Sequence, residues 1–336
     1  MSHDAVTAQT HHRKWPFRLI LIAAPFLITF IGAEIWLRAA GGIPWYERLE
    51  TEQSHFAPTH YQVSFMMVPL REALPTIPKS DNEIRILFLG DSFTYGEGVR
   101  DGAKTFPKLI ETALNNRPPA GVSRHSSAFN GGIPASLTEQ WVVLGEQALK
   151  TYHPDLIVTV FFLRDGVAKL TTREPIEHIR EELLRLKDDS PLFRHCRIYR
   201  YFREQTELTR LSRQYLQDLR TGYLGTPDEI RQWQRAQRDL LRIRDGACRA
   251  GVKFALVIFP VLFELNEDYP LTDICREIER FGADNEIPTF SLLPAFLGRD
   301  AASLWVSPLD QHPNERGHAI AAEAMEPFVR GLIESD

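Results

Sequence analysis

Five short apolar runs between residues 84 and 292 constrain this fold more than anything else: Ile84–Leu89, Ser126–Phe129, Leu156–Leu163, Val252–Phe259 and Pro288–Leu292. Each carries β-branched or aromatic residues and is too short for an ordinary helix. Their apolar character is continuous rather than alternating, which marks strands buried on both faces. Helical patterns lie between them. Ser136-Leu137-Thr138-Glu139 reads as a capping box opening a helix toward Lys150. Thr226-Pro227-Asp228-Glu229 reads as another, with Pro at the first helical position, and sets Ile230, Trp233, Leu240 and Ala247 on one stripe before Gly251 ends the helix. A final helix is expected from about Asn314 to Ile333. Strands alternating with helices in this way predict an α/β fold, a doubly wound five-stranded parallel sheet covered on both faces.

With 336 residues the chain is longer than one such core requires, so attachments are expected. Its 43% hydrophobic and 25% charged residues exclude a disordered, a collagen-like and a polytopic membrane chain. The formal charge of −5 is of the wrong sign for nucleic-acid binding as the main business. Cys196, Cys248 and Cys275 have no CxxC spacing and are odd in number, which argues against a disulfide framework or a zinc ribbon while leaving one disulfide open. His11 and His12 lie in the N-terminal tail, and no grouping has metal-ligand spacing, so no metal or other cofactor is expected. Gly96-Glu97-Gly98 lacks the third glycine of a dinucleotide fingerprint and does not open a helix directly after a strand, so nucleotide binding there is rejected.

Leu19–Ala33 is uncharged, and the apolar run continues to Leu37 with Glu34 as its one ill-placed residue. At 1.5 Å per residue, Leu19 to Leu37 spans roughly 28 Å, about one hydrocarbon thickness. Arg13, Lys14 and Arg18 precede the run, whereas Glu47, Glu50 and Glu52 follow alongside Arg38 and Arg48. That bias predicts a cytoplasmic tail over 1–18 and a single-pass anchor over 19–37 in the inner (cell) membrane, with the remainder extracytoplasmic, in the periplasm. Trp15 and Trp36 flank the span as interfacial aromatics do. A cleaved signal peptide and a buried core helix are the alternatives, but Ile35-Trp36-Leu37-Arg38 is a poor cleavage site. A polar, Pro-spotted connector is expected over 38–81 and a catalytic domain over 82–336.

Residues 166–225 interrupt the alternation with charged, helix-like sequence. From Thr171 to Ala250 there are 17 basic residues, all but one arginine, against 13 acidic ones, a net of +4 that leaves −9 elsewhere. Solvated helix faces account for this. A basic cap able to meet an anionic substrate is the sharper alternative.

The first run leads into Gly90-Asp91-Ser92-Phe93-Thr94-Tyr95-Gly96-Glu97-Gly98. Carboxyl ends of strands border the ligand crevice of a doubly wound sheet, so Ser92 stands where a nucleophile is useful. Serine needs a base, and Asp310-Gln311-His312-Pro313-Asn314 offers a histidine beside a carboxylate that can orient its ring. A strand-to-helix turn and a helix entrance capped by Asn314 are the structural explanations of the same two segments.

On these residues the chain resembles the GDSL, or SGNH, hydrolases: esterases, lipases, carbohydrate deacetylases and some O-acyltransferases. The resemblance covers about Ile84–Leu163 and Val252 to the C-terminus and implies a flavodoxin-like sheet. It implies Ser92 as nucleophile, His312 as general base and Asp310 as its orienting acid, although Asp310 stands two residues before His312 where the family more usually has three. Asn130-Gly131-Gly132-Ile133-Pro134-Ala135 matches the second family block, with Asn130, Gly132 and Ala135 at the oxyanion or substrate end and Ala135 where the family has glycine. The third block places Arg164 where it has asparagine. A backbone donor survives at Ala135 if its φ is not glycine-only. Arg164 either replaces the lost donor or binds a carboxylate or phosphate.

The resulting expectation is a membrane-anchored serine ester hydrolase or O-acyltransferase working through an acyl-serine. Its partners are expected to be the membrane and an acyl ester, in the first place O-acyl groups of envelope or exported carbohydrate. The alternative is a catalytically weak binding or assembly component of an envelope polysaccharide machine.

Overall fold

The computed structural model of the chain describes residues 15–39, 63–65, 68–72, 78–118, 125–167, 185, 190–307 and 310–335. The central sheet has five parallel strands: β1 (Glu83–Gly90), β2 (His125–Gly132), β3 (Leu156–Phe162), β4 (Lys253–Phe259) and β5 (Thr289–Ser291). Their spatial order is β2-β1-β3-β4-β5, the doubly wound arrangement whose topological switch lies beside β1. All five follow the five apolar runs. Register runs from Glu83 opposite His125 to Gly90 opposite Gly132, so β1 and β2 end level. β3 pairs with β4 from Leu156 opposite Lys253 to Phe162 opposite Phe259.

Side-chain alternation along the strands separates two cores. Phe88 of β1 and Phe259 of β4 pack on Phe106 of the helix Phe106–Asn116, with centroids 6.1 and 6.4 Å away. On the other face, Phe161 of β3 meets Trp141 of the helix Thr138–Thr151 and Trp233 of the helix Arg231–Arg249. Ile86–Leu89 and the whole of β3 are buried, which is why these strands read as continuous apolar sequence.

Helix starts differ from the sequence reading at Ser136 and at Thr226. Ser136 does not cap the helix Thr138–Thr151; its hydroxyl donates to the Ile133 carbonyl and accepts the Trp141 indole N–H at 2.7 Å. The reciprocal bond comes one residue later, where the Leu137 N–H donates to Gln140 Oε1 at 2.9 Å. A buried indole needing an acceptor outcompetes the local cap. Thr226 and Glu229 close only a turn, the Thr226 N–H donating to Glu229 at 2.8 Å, and Pro227 lies in that turn and not in the helix, which starts at Arg231. Gly251 ends it at φ +69°.

The chain divides into two compact units, one made of Met1–Thr51 with Ile179–Arg210, the other of Glu52–His178 with Leu211–Asp336. The second holds the sheet. It also takes in the end of the expected connector: a small hairpin pairs Val63–Phe65 with Val68–Leu70, and Leu70 is buried. The first unit contains the helix Trp15–Ala39, whose Ile22–Ala39 stretch has mean hydropathy 1.5 and no buried residue. It is long and apolar enough to cross a membrane, and a signal sequence fits the same description. Within residues 166–225 the described part is mostly helical, with a short helix Pro191–His195 and a long one Arg197–Leu224; residues 168–184 and 186–189 lie outside the described residues. All three cysteines are free thiols.

Candidate active site

Ser92 begins the four-residue helix Ser92–Tyr95 directly after β1. The turn is tight because small groups permit it. A side chain at Gly90 would lie 2.1 Å from Thr94 Oγ1, and Gly96 closes the helix at φ +83°. Asp91 caps the helix, its Oδ1 accepting the Phe93 N–H at 2.9 Å.

His312 and Asp310 lie on a short strand, Asp310–Pro313, paired antiparallel with Trp305–Ser307. Residues two apart on a strand share a face, so the two-residue spacing that departs from the family pattern still aims both side chains the same way. Asp310 Oδ1 accepts the His312 backbone N–H at 3.0 Å and stands 2.5 Å from His312 Nδ1. His312 Nε2 stands 2.9 Å from Ser92 Oγ. Asp310 is 4% exposed, and its other oxygen is buried with no hydrogen-bond partner among the described residues. The carboxylate's hydrogen bonding is thereby concentrated on His312. The Phe93 ring, stacked on Phe162 at 3.8 Å, holds the imidazole from the side at 5.3 Å.

The structure thus brings Ser92, His312 and Asp310 into one hydrogen-bonded line. Ala135, Arg164, Asn130 and Gly132 take different positions. Ala135 is exposed on the turn after β2 with φ +55°, the left-handed region the family's glycine would suit better. Arg164 is half-buried on the turn Leu163–Gly166 after β3. Tyr223 fixes that turn: its hydroxyl donates to the Leu163 carbonyl at 2.7 Å. Asn130 is buried. Its Oδ1 accepts the Gly132 N–H at 3.0 Å, and its Nδ2 donates to the Tyr95 carbonyl at 3.4 Å, so it ties β2 to the Ser92 helix. Gly132 allows that approach, since a side chain there would lie 2.0 Å from Tyr95 N.

Two buried carboxyls complete the electrostatics. Burial pushes Asp91 up to about 6, against the opposing pull of its bond from Phe93 and of the His312 and Arg164 charges. Asp165, whose Oδ2 accepts the Phe162 N–H, is raised well above the usual carboxylate range by burial and then by Asp91. Arg164 lowers both, so its charge is set against an acid pair. The sequence marks no role for Asp91 or Asp165, because strand-end carboxylates are ordinary until their burial is known. It also marks none for Arg71 and Glu72, in the supposed connector. Arg71 donates to the Gly96 carbonyl at 3.0 Å, and Glu72 accepts the Asn130 N–H at 2.7 Å. No local pattern marks either. Among the described residues no group of His, Cys, Asp or Glu could hold a metal ion.

No family model and no curated protein matches the chain. Among solved structures it is similar to the psychrotrophic esterase EstA from Pseudoalteromonas sp. at 12% identity, over 76% of this chain and 100% of that one, with a TM-score of 0.46. It is similar to a member of the lipolytic protein G-D-S-L family from Veillonella parvula DSM 2008 at 13% identity, over 74% and 99%, with a TM-score of 0.41. It is also similar to a catalytic mutant of Axe2, an acetylxylan esterase from Geobacillus stearothermophilus, at 15% identity, over 74% and 94%, with a TM-score of 0.43. Identities this low leave the chemistry to the site's own geometry.

Proposed function

We propose that this chain is a serine ester hydrolase or O-acyltransferase, held at the cell membrane by Trp15–Ala39 with its N-terminus cytoplasmic, and acting on O-acyl groups of envelope or exported carbohydrate. The observation that carries the chemistry is the hydrogen-bonded line from Ser92 Oγ through His312 to Asp310. In this reading Ser92 Oγ bonds to the ester carbonyl carbon while His312 Nε2 takes its proton. Asp310 holds Nδ1–H and steadies the imidazolium. Collapse of the tetrahedral intermediate breaks the bond to the alkoxy oxygen, which leaves as alcohol with the proton from His312. Water or a sugar hydroxyl then attacks the acyl-serine by the same proton path, giving acid or a transferred ester. The Ser92 and Ala135 N–H groups and the Arg164 guanidinium are assigned to the oxyanion.

Residues 82–336 are assigned as the catalytic domain, with the stretch 166–225 as a charged helical insertion. The anchor and the resemblance in sequence support an envelope carbohydrate substrate. A second reading, a catalytically weak binding component, is favoured by Arg164, a charge that acts on two buried acids, standing where the resemblance implies an asparagine.

A fluorophosphonate probe decides between them. The proposal expects labelling that Ser92→Ala abolishes; no labelling, or equal labelling of the variant, refutes it. For Arg164, model-ester turnover unchanged in both Arg164→Asn and Arg164→Ala removes its oxyanion role, which is expected to be worth about 10²- to 10³-fold.

A further inference from the structure

Glu34 is the one charged residue within Leu19–Leu37, and its side chain is only 15% exposed in a helix that is mostly open. It is satisfied within its own compact unit. The Arg197 N–H donates to Glu34 Oε1 at 2.9 Å and the Ile198 N–H to Oε2 at 3.0 Å, so the carboxylate caps the helix Arg197–Leu224 from outside it. First-turn N–H groups have no partner within their own helix, and the positive end of the helix favours an anion there. Arg38, one turn on, closes the junction: it bonds Glu34 Oε1 at 2.9 Å and donates to the His195 carbonyl at 2.8 Å. The preceding turn is locked to the same place. Arg200 donates to the Phe193 carbonyl at 3.0 Å and the Arg194 carbonyl at 2.8 Å, and lies over the fully buried Phe193 ring.

This clasp fixes a depth. If Leu19–Leu37 fills the hydrocarbon, Glu34 lies three residues, about 4–5 Å, inside its edge. Phe202 is five residues along the clasped helix from Arg197, a rise of about 7–8 Å at most whichever way that helix points. With Arg197 held level with Glu34, the Phe202 backbone lies no more than about 3 Å beyond the hydrocarbon edge, inside a headgroup layer roughly 5–8 Å deep. The side chains in this zone suit it. Leu192, Tyr201 and Phe202 are 55%, 48% and 64% exposed, next to Arg194 and Arg197, and Ile35 and Trp36 of the apolar helix are equally open. Exposed apolar and aromatic groups beside arginines are the composition of an interfacial membrane contact.

We propose that Leu192–Phe202 is a second membrane-binding element, seated in the lipid headgroup layer around the anchor and held there by the Glu34 clasp. The proposal rests on the anchor reading. It commits to lipid because the segment is hydrogen-bonded, through Glu34 and Arg38, to the helix read as the anchor.

The test uses the full chain in nanodiscs of phosphatidylethanolamine and phosphatidylglycerol, with 4-trifluoromethyl-phenylalanine replacing Phe202 alone, read by fluorine NMR. Expected is loss of the resonance on adding doxyl-labelled lipid and its survival with an aqueous gadolinium chelate. In Glu34→Ala the same resonance is expected to survive the doxyl lipid. The reverse pattern in the unaltered chain, or a Glu34→Ala chain indistinguishable from it, overturns the proposal. Release of the chain from vesicles by alkaline wash removes the anchor reading and this proposal together. Fluorophosphonate labelling of the same samples separates that failure from failure of the Ser92 chemistry.

Discussion

His318 offers a quantitative check on the architecture around the site. It is fully buried in the first turns of the helix Glu315–Glu334, with its ring stacked on Phe106 at 5.3 Å. Its Nδ1 accepts the Phe106 backbone N–H at 3.2 Å, so the neutral ring carries its proton on Nε2, which is buried without a partner among the described residues. Adding a second proton would bury a charge, set it near the Arg71 and His312 charges and turn the acceptor into a donor facing another donor. Burial first, then those two charges, pull His318 down from 6.5 to about 3. In the window between these values the unfolded chain binds a proton that the native chain refuses, so stability falls as the pH falls. From about pH 8 to about pH 5 this linkage removes about 2 kcal/mol. Asp91, raised by burial, works the other way, stabilising at low pH and losing that contribution as the pH rises through about 6. The informative quantity is therefore the difference between the parent chain and His318→Leu. The variant leaves the Phe106 N–H unpaired and is expected to be about 1–3 kcal/mol less stable at about pH 8. Its deficit should shrink by about 2 kcal/mol at about pH 5. Guanidinium unfolding of the detergent-solubilised chain, followed by tryptophan fluorescence, measures both. A deficit that is the same at the two pH values refutes the assignment of a buried neutral imidazole.

Asp310→Asn keeps the volume but not the charge that orients His312, and is expected to lower model-ester turnover about 10³- to 10⁴-fold without unfolding the chain; a loss under about ten-fold would remove Asp310 from the proton path. Ala135→Gly should relieve the left-handed backbone by about 1–2 kcal/mol, less about 0.4–1 kcal/mol for the freer unfolded chain, so unfolding shifts to slightly higher denaturant with turnover kept. A destabilised variant contradicts the φ assigned to Ala135. Gly132→Ala puts a methyl 2.0 Å from Tyr95 N and is expected to cost about 1–3 kcal/mol and to depress turnover by moving the Ser92 helix. Neutrality in both measurements would mean that β2 and that helix do not meet as described.

The strands were legible because burial on both faces leaves a local record, a continuous apolar run such as Leu156–Phe162. Ser92 and His312 were legible for a related reason. A strand-to-helix turn and a short segment before a capped helix each have their own sequence pattern, and Asn314 does cap that helix, accepting the Arg316 N–H at 3.0 Å and the Gly317 N–H at 3.1 Å. The structural explanation of Asn314 and the chemical one of His312 therefore hold side by side. Ser136 shows the opposite case: the capping pattern was present, but Trp141, five residues along, needed the hydroxyl more.

Asp310 marks the line between the two kinds of knowledge. Its spacing from His312 reads as a departure from the family pattern until the segment is known to be a strand, where alternate residues share a face. Arg71 and Glu72 left no signal, and Glu34 showed only as a misplaced charge, because their partners at Gly96, Asn130 and Arg197 are distant in sequence. Sequence alone determined the α/β sheet, the apolar helix and the two ends of the serine–histidine pair, all written in neighbouring residues. Tertiary structure decided the rest: the state of the buried acids beside Arg164, the strain at Ala135 and the partner of Glu34. Desolvation and hydrogen-bond satisfaction depend on what closes over a group, and folding brings that from elsewhere in the chain.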